Sequence, residues 1–176
     1  DADANNTYIV TVRASDGTNN ADQTITTTIS NANDSSPIIS SNGGGATAAI
    51  SLSENSSSVT TVVATDADAS TPVYSLSGGA DVAKFSINAS TGVLSFIAAP
   101  DFEAPADADA NNTYIVTVRA SDGTNNADQT ITATILNAND NSPLISSNGG
   151  GGTATISLSE NNNTVTTVVA TDADAS

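Results

Sequence analysis

The stretch "TYIVTVRA" (113–120) alternates apolar and polar positions. Tyr114, Val116, Val118 and Ala120 fall on one face, and Ile115, Thr117 and Arg119 on the other. A period of two marks a strand buried on one side. "QTITATIL" (129–136) alternates likewise and points Ile131, Ala133 and Ile135 inward. Five further runs carry strand character: "TAAISLS" (47–53), "SVTTVVAT" (58–65), "PVYSLS" (72–77), "KFSIN" (84–88) and "GVLSFIA" (92–98). Clusters of Gly, Asn, Asp and Pro separate them, and "NASTG" (88–92) reads as a hairpin turn. Seven short strands without a helical period predict an all-β fold, a seven-stranded Greek-key sandwich of the immunoglobulin-like kind.

The same pattern returns along the chain. Residues 1–70 match residues 107–176 at 61 of 70 positions without a gap, so the period is 106 residues. That exceeds a solenoid repeat of roughly 20–50 residues and suits a whole sandwich. The expected division is therefore 1–36, the last two strands of one repeat; 37–142, a complete repeat; and 143–176, the first two strands of the next. The sequence reads as a window on a longer tandem array of sandwiches stacked head to tail.

Strands that alternate in direction sort the acids onto the two ends of a repeat. If the first strand descends, the third, fifth and seventh descend too. Glu54 follows the first strand, Asp101 and Glu103 the fifth, and Asn137, Asn139, Asp140 and Asn141 the seventh, so all lie at the bottom. Asp66 and Asp68 follow the second strand and Asp122 the sixth, at the top. Stacking then brings Glu54, Asp101, Glu103 and Asp140 against Asp172 and Asp174 of the next repeat. Like charges about 4 Å apart cost several kcal/mol per pair at an effective dielectric near 20. Either flexible linkers hold the repeats apart, or a cation lies among the oxygens.

Composition narrows which cation. The chain of 176 residues carries 19 acids against three bases (Arg13, Lys84 and Arg119), a formal charge of −16. This argues against nucleic-acid or anionic-membrane partners, which need clustered Lys and Arg. There is no cysteine and no histidine, so disulfides, thiol nucleophiles and the usual zinc ligands are excluded. No run approaches the roughly 18 apolar residues of a membrane span. Calcium suits the donors, because it accepts six to eight oxygens from carboxylates, amides and carbonyls in flexible geometry, whereas magnesium demands a strict octahedron.

"LSEN" (52–55), "TDAD" (65–68), "DFE" (101–103), "ASDG" (120–123) and "NANDNSP" (137–143) stand in this order in the complete repeat. Together they resemble the calcium-binding motifs of cadherin repeats, and the wording "PDFEAPADADANNTYIVTVRASDG" looks most like cadherin-like repeats of large bacterial surface or secreted adhesins. The resemblance covers the whole chain. It implies about three calcium ions per complete junction. Glu54, Asp101, Glu103 and Asp140 would hold those nearer the upper repeat. Asn139, the carbonyl of Asn141, Asp172 and Asp174 would hold the one nearer the lower, with Asn137 in the place of the family's first exit-motif Asp. At the first junction the resemblance implies Asn31, Asn33, Asp34, Asp66, Asp68 and Asp122, with Asp16 serving a preceding junction. Asn31 and Asn137 stand where the family has Asp, which removes a charge from the middle ion, and Ser35 replaces the last Asn. Fewer ions are expected at the first junction, whose Glu and Asp-x-Glu partners are missing from the sequence.

Blander readings stand beside these. Asx-rich stretches before proline are ordinarily solvated turns. "DADAN" (107–111) opens like a calcium loop but has Asn112 and Val118 where glycine and glutamate are required, so a polar loop is expected. Asp81 is expected to cap a short turn, and Asp22 and Asp128 to be solvated. Three functions follow. The first is an extracellular, calcium-rigidified spacer or stalk of an adhesin or filament, whose partners are adjacent repeats. The second is an adhesion module binding polysaccharide or self-associating with like arrays; most of the six aromatics, Tyr8 and Tyr114 among them, fall on apparent core faces and leave it little platform. A hydrolase built on paired carboxylates is disfavoured, because the acids are confined to repeat ends.

Overall fold

The computed structural model describes residues 5–174; residues 1–4 and 175–176, at the outer ends of the two expected partial repeats, lie outside the described residues. The strands are β1 (Thr7–Ser15), β2 (Asn20–Thr28), β3 (Ile38–Ile39), β4 (Thr47–Ser53), β5 (Ser58–Thr61), β6 (Ala64–Thr65) and β7 (Val73–Gly78). They continue as β8 (Phe85–Ile87), β9 (Val93–Phe96), β10 (Thr113–Ser121), β11 (Asn126–Leu136), β12 (Leu144–Ile145) and β13 (Ala170–Thr171). Among the described residues the helical content is one 3-10 turn, Val82–Lys84.

The middle of the chain forms a sandwich of two sheets, ordered β4-β11-β10-β7 and β5-β9-β8, with β3 paired to β6 beside them. β11 runs parallel to β4, while β10–β11, β10–β7, β5–β9 and β8–β9 are antiparallel. These directions agree with the alternation expected from the sequence, in which the first and seventh strands run the same way. Alternation along β10 buries Tyr114, Val116, Val118 and Ala120, and β11 buries Ile131, Ala133 and Ile135. Between the sheets, Phe85 stacks on Phe96 at 4.6 Å and Tyr114 meets Phe96 edge-on at 5.1 Å. Most of the chain's aromatic area is thus spent in one core, where ring pairs contribute beyond simple burial.

The structure revises several expectations. The second strand, read as continuous over 58–65, is broken at Val62–Val63 because it changes partner: β5 bonds to β9 and β6 to β3. At the break the Val62 N–H donates to the Gly92 carbonyl at 2.8 Å. Gly92 has φ +69°, and a Cβ there would lie 2.1 Å from the Val62 carbonyl oxygen, so only glycine fits.

Asp81 makes no side-chain cap to the 3-10 turn. It is buried, and its two carboxylate oxygens accept the Ala108 N–H at 2.7 Å and the Ile115 N–H at 2.8 Å. It clasps the loop before β10 to the body of the sandwich. Asp22 and Asp128 are not simply solvated. Each lies opposite an arginine across a strand pair and accepts a two-pronged guanidinium contact, from Arg13 and Arg119 respectively. Within the "DADAN" loop, Asp107 accepts the Asn111 and Asn112 N–H groups.

The flanking segments show what the sandwich supplies. β1 and β2 pair in the register of β10 and β11, yet Tyr8 is 49% exposed where Tyr114 is 2% exposed. The face is apolar in both copies; only one meets an opposing sheet. Downstream, β12 pairs with β13, but residues 153–159 and 164–167, the copies of β4 and β5, form no strands. In the central sandwich, by contrast, β4 is paired along its length to β11 and β5 to β9.

Candidate metal centre

Three loops are tied together at the end of the sandwich before any question of metal arises. Glu54 directly follows β4, and its N–H donates to the Leu136 carbonyl at 3.1 Å, holding it against the end of β11. Its buried carboxylate accepts the Phe102 N–H at 2.7 Å and the Ala138 N–H at 2.8 Å. Asp101 accepts the Glu103 and Ala104 N–H groups, both at 3.0 Å, in a turn that brings Glu103 around. Asn55, in the left-handed region with φ +64°, anchors to the Pro100 carbonyl through its N–H and donates its amide to Asp140.

The result is a chain of carboxylates. Glu54, Asp101 and Glu103 each present an oxygen, all within 4.8 Å of one another; Glu103, Asp140 and Asp174 do the same. Glu103 belongs to both groups. Asp174 arrives from beyond β13 and is fixed there by the Asn141 N–H, which donates to it at 2.6 Å, and by the Asn137 amide, which reaches its carbonyl at 3.4 Å. Asp172 is one bond further, accepting the Asp174 N–H at 2.9 Å. Asn139 lies exposed in the same exit segment.

At the first junction the exit segment 31–35 meets two turns. Asp68 accepts the Asp34 and Ser35 N–H groups at 3.0 and 2.7 Å, and the Asn31 amide reaches the Asp68 carbonyl at 3.2 Å. The Asn33 amide reaches the Asp122 carbonyl at 3.5 Å. The Asp122 carboxylate accepts the Thr124 and Asn125 N–H groups and Asp66 accepts that of Asp68. No group of three acids gathers here among the described residues. Asp16 sits in the β1–β2 turn, where it accepts the Thr18 and Asn19 N–H groups. Asn55 and Asn125, whose amide donates to the Ser35 carbonyl at 2.9 Å, are not among the residues singled out from the sequence. The asparagine following the glutamate of "LSEN" and the asparagines after "SDGT" are the only signals that pointed to them.

Burial and like charge both act on these acids. Burial pushes the Glu103 carboxyl above the usual carboxylate range, and the charges of Glu54, Asp174 and Asp140 push the same way. The Asn141 amide leads the contacts that hold Asp174 below it. Both arginines are engaged with Asp22 and Asp128, and no salt bridge among the described residues reaches these acids. Glu103 Oε1 is buried without a hydrogen-bond partner, and so is Asp66 Oδ2 at the first junction. A buried, unpartnered carboxylate oxygen among like charges is expensive unless a positive charge meets it. The donor set is oxygen only, with adaptable geometry, and fits calcium.

A protein-family model described as a cadherin domain matches residues 48–136, just over half of the chain. Among solved structures, the protocadherin gammaB4 extracellular domain is 27% identical with a TM-score of 0.62, over 82% of this chain and 23% of that one. Extracellular cadherin domains 3–6 of protocadherin gamma B2 are 25% identical with a TM-score of 0.64, over 100% of this chain and 45% of that one. EC22–24 of mouse cadherin-23 is 25% identical with a TM-score of 0.58, over 95% of this chain and 53% of that one. The chain therefore spans about half or less of the length of these proteins. Among curated proteins none matches it.

Proposed function

The chain belongs to the cadherin family, whose domains are extracellular adhesion or spacer modules that generally bind calcium, and on that premise we propose that it is a calcium-rigidified spacer, with cations held where consecutive repeats abut. The repeats divide at 1–36, 37–142 and 143–176. In this reading about three calcium ions occupy the junction after β11. Glu54, Asp101, Glu103 and Asp140 hold those nearer the sandwich, and Asn139, the Asn141 carbonyl, Asp172 and Asp174 the one beyond. Asp66, Asp68 and Asp122 serve the junction before it, together with Asn31, Asn33 and Asp34. The observation that carries the reading is that Asp174, from the downstream segment, shares an oxygen cluster with Glu103 and Asp140. A cation bound by these groups is bound by both sides of the junction at once.

Charge accounting agrees. Residues 37–142 hold 11 acids and two bases, net −9, and about three divalent ions would leave a soluble rod of about −3. Without metal, repulsion across the junction favours separation. Extracellular calcium modules bind at roughly 10⁻⁴–10⁻³ M, so stiffness would develop only in calcium-rich surroundings outside the cell. A polysaccharide-binding role finds no support here: Tyr74, Phe85, Phe96 and Tyr114 are buried in the core. Attachment to a bacterial adhesin stalk belongs to the same proposal and rests on the wording of the repeat. Small-angle scattering in calcium and in chelator tests the stiffening. The maximum dimension is expected to sharpen and lengthen with calcium, and identical profiles in the two conditions would refute it.

A further inference from the structure

Asn141 makes an unusual set of contacts. Its amide nitrogen lies 2.9 Å from Asp140 Oδ1, 2.9 Å from Asp174 Oδ1 and 3.5 Å from Glu103 Oε2. These are the three residues of the carboxylate group that spans the junction. An amide NH₂ carries two hydrogens with partial positive charge and no other means of serving three anionic acceptors. Asp140 is held from its other oxygen by the Asn55 amide. Two asparagine amides therefore do, weakly, the neutralising work that a divalent ion does strongly.

Resting on the calcium reading, we propose that the Asn141 side chain is a built-in competitor of the cation: it clasps the junction when metal is absent and must release these oxygens for metal to bind. The calcium threshold of a junction is then set in part by this one residue, which is itself no side-chain ligand in the reading above. The sequence contains a natural contrast. Position 35 is the copy of position 141, and it is serine. The backbone half of the clasp is the same in both, since the Ser35 N–H donates to Asp68 at 2.7 Å as the Asn141 N–H donates to Asp174 at 2.6 Å. The amide half exists only at the second junction.

The test is Asn141→Ser in the full chain, with two readouts. Calorimetric calcium titration is expected to show binding at this junction tightened roughly tenfold, the scale of a lost hydrogen bond between a neutral donor and charged acceptors. In chelator, hydrogen exchange is expected to show lower protection of the residue-141 N–H. Its bond to Asp174 can still form, as at Ser35, but without the amide contact that keeps the two residues together it opens more often. Calcium affinity unchanged or weakened, or protection in chelator unaltered, would overturn the competitor. A parent chain that binds no calcium at all would instead sink the reading beneath it, and the exchange measurement alone would then decide the clasp.

Discussion

Replacing Glu54 with alanine is expected to destabilise the central sandwich by about 3 kcal/mol or more in calcium, by the loss of charge-assisted hydrogen bonds. Glu54 is 4% exposed, and its two oxygens hold the N–H groups of Phe102 and Ala138. Alanine leaves both donors without a partner in a half-buried setting, each costing about 1–3 kcal/mol. The cost should be smaller in chelator, because the same substitution relieves Asp101 and Glu103 of a like charge. That calcium dependence separates the two roles of Glu54, as a peg for two loops and as a cation ligand. Urea unfolding in calcium and in EDTA measures it. A loss below about 0.5 kcal/mol in calcium, the range of an ordinary surface substitution, would show that Glu54 pegs nothing.

Chelation itself should have a comparable effect. An ion present at about a hundredfold its dissociation constant adds about 2.7 kcal/mol to the folded state. For a domain of this size each kcal/mol moves the melting temperature by roughly 4–8 °C. Calcium is therefore expected to raise the unfolding temperature of the sandwich by about 10 °C or more. Asp174→Ala should remove much of this gain while leaving the melting temperature in chelator essentially unchanged. The reason is geometric: Asp174 belongs to the junction cluster, and its contacts run to the exit-segment residues Asn137 and Asn141 and not to the core. A calcium shift that is the same in Asp174→Ala as in the parent would place the ion elsewhere.

Much of this arrangement is legible in the sequence because it depends on period and direction. Period-two alternation in 113–120 and 129–136 names the buried apolar residues of β10 and β11 one by one. Direction follows from counting strands, and it sorts Glu54, Asp101, Glu103 and Asp140 to the end that meets Asp174. Contacts set by tertiary partners are not legible in the same way. "SVTTVVAT" looks like one strand, and nothing in its pattern says that β5 and β6 belong to different pairings. Asp81 stands before a short turn like any capping residue, but its partners are Ala108 and Ile115.

Gln129 shows the same limit from the other side. It occupies an inward position in line with Ile131 and Ala133 and is fully buried. Its amide donates to the Gly45 carbonyl at 2.9 Å and its oxygen accepts from Asn42 at 3.2 Å. It thereby pins the glycine-rich turn that leads into β4. A polar residue in an apolar register announces a partner, but not which backbone group, 84 residues away, will provide it.

Counting bound calcium by native mass spectrometry, across free calcium from micromolar to about 5 mM, tests most directly whether cations join the two sides of the junction. Oxygens gathered from both sides of the junction after β11 require two or three ions at millimolar calcium, with fewer in Asp174→Ala. A parent chain that stays metal-free throughout that range would mean that the acids are held apart by solvent alone, and that the junction is a hinge and not a strut.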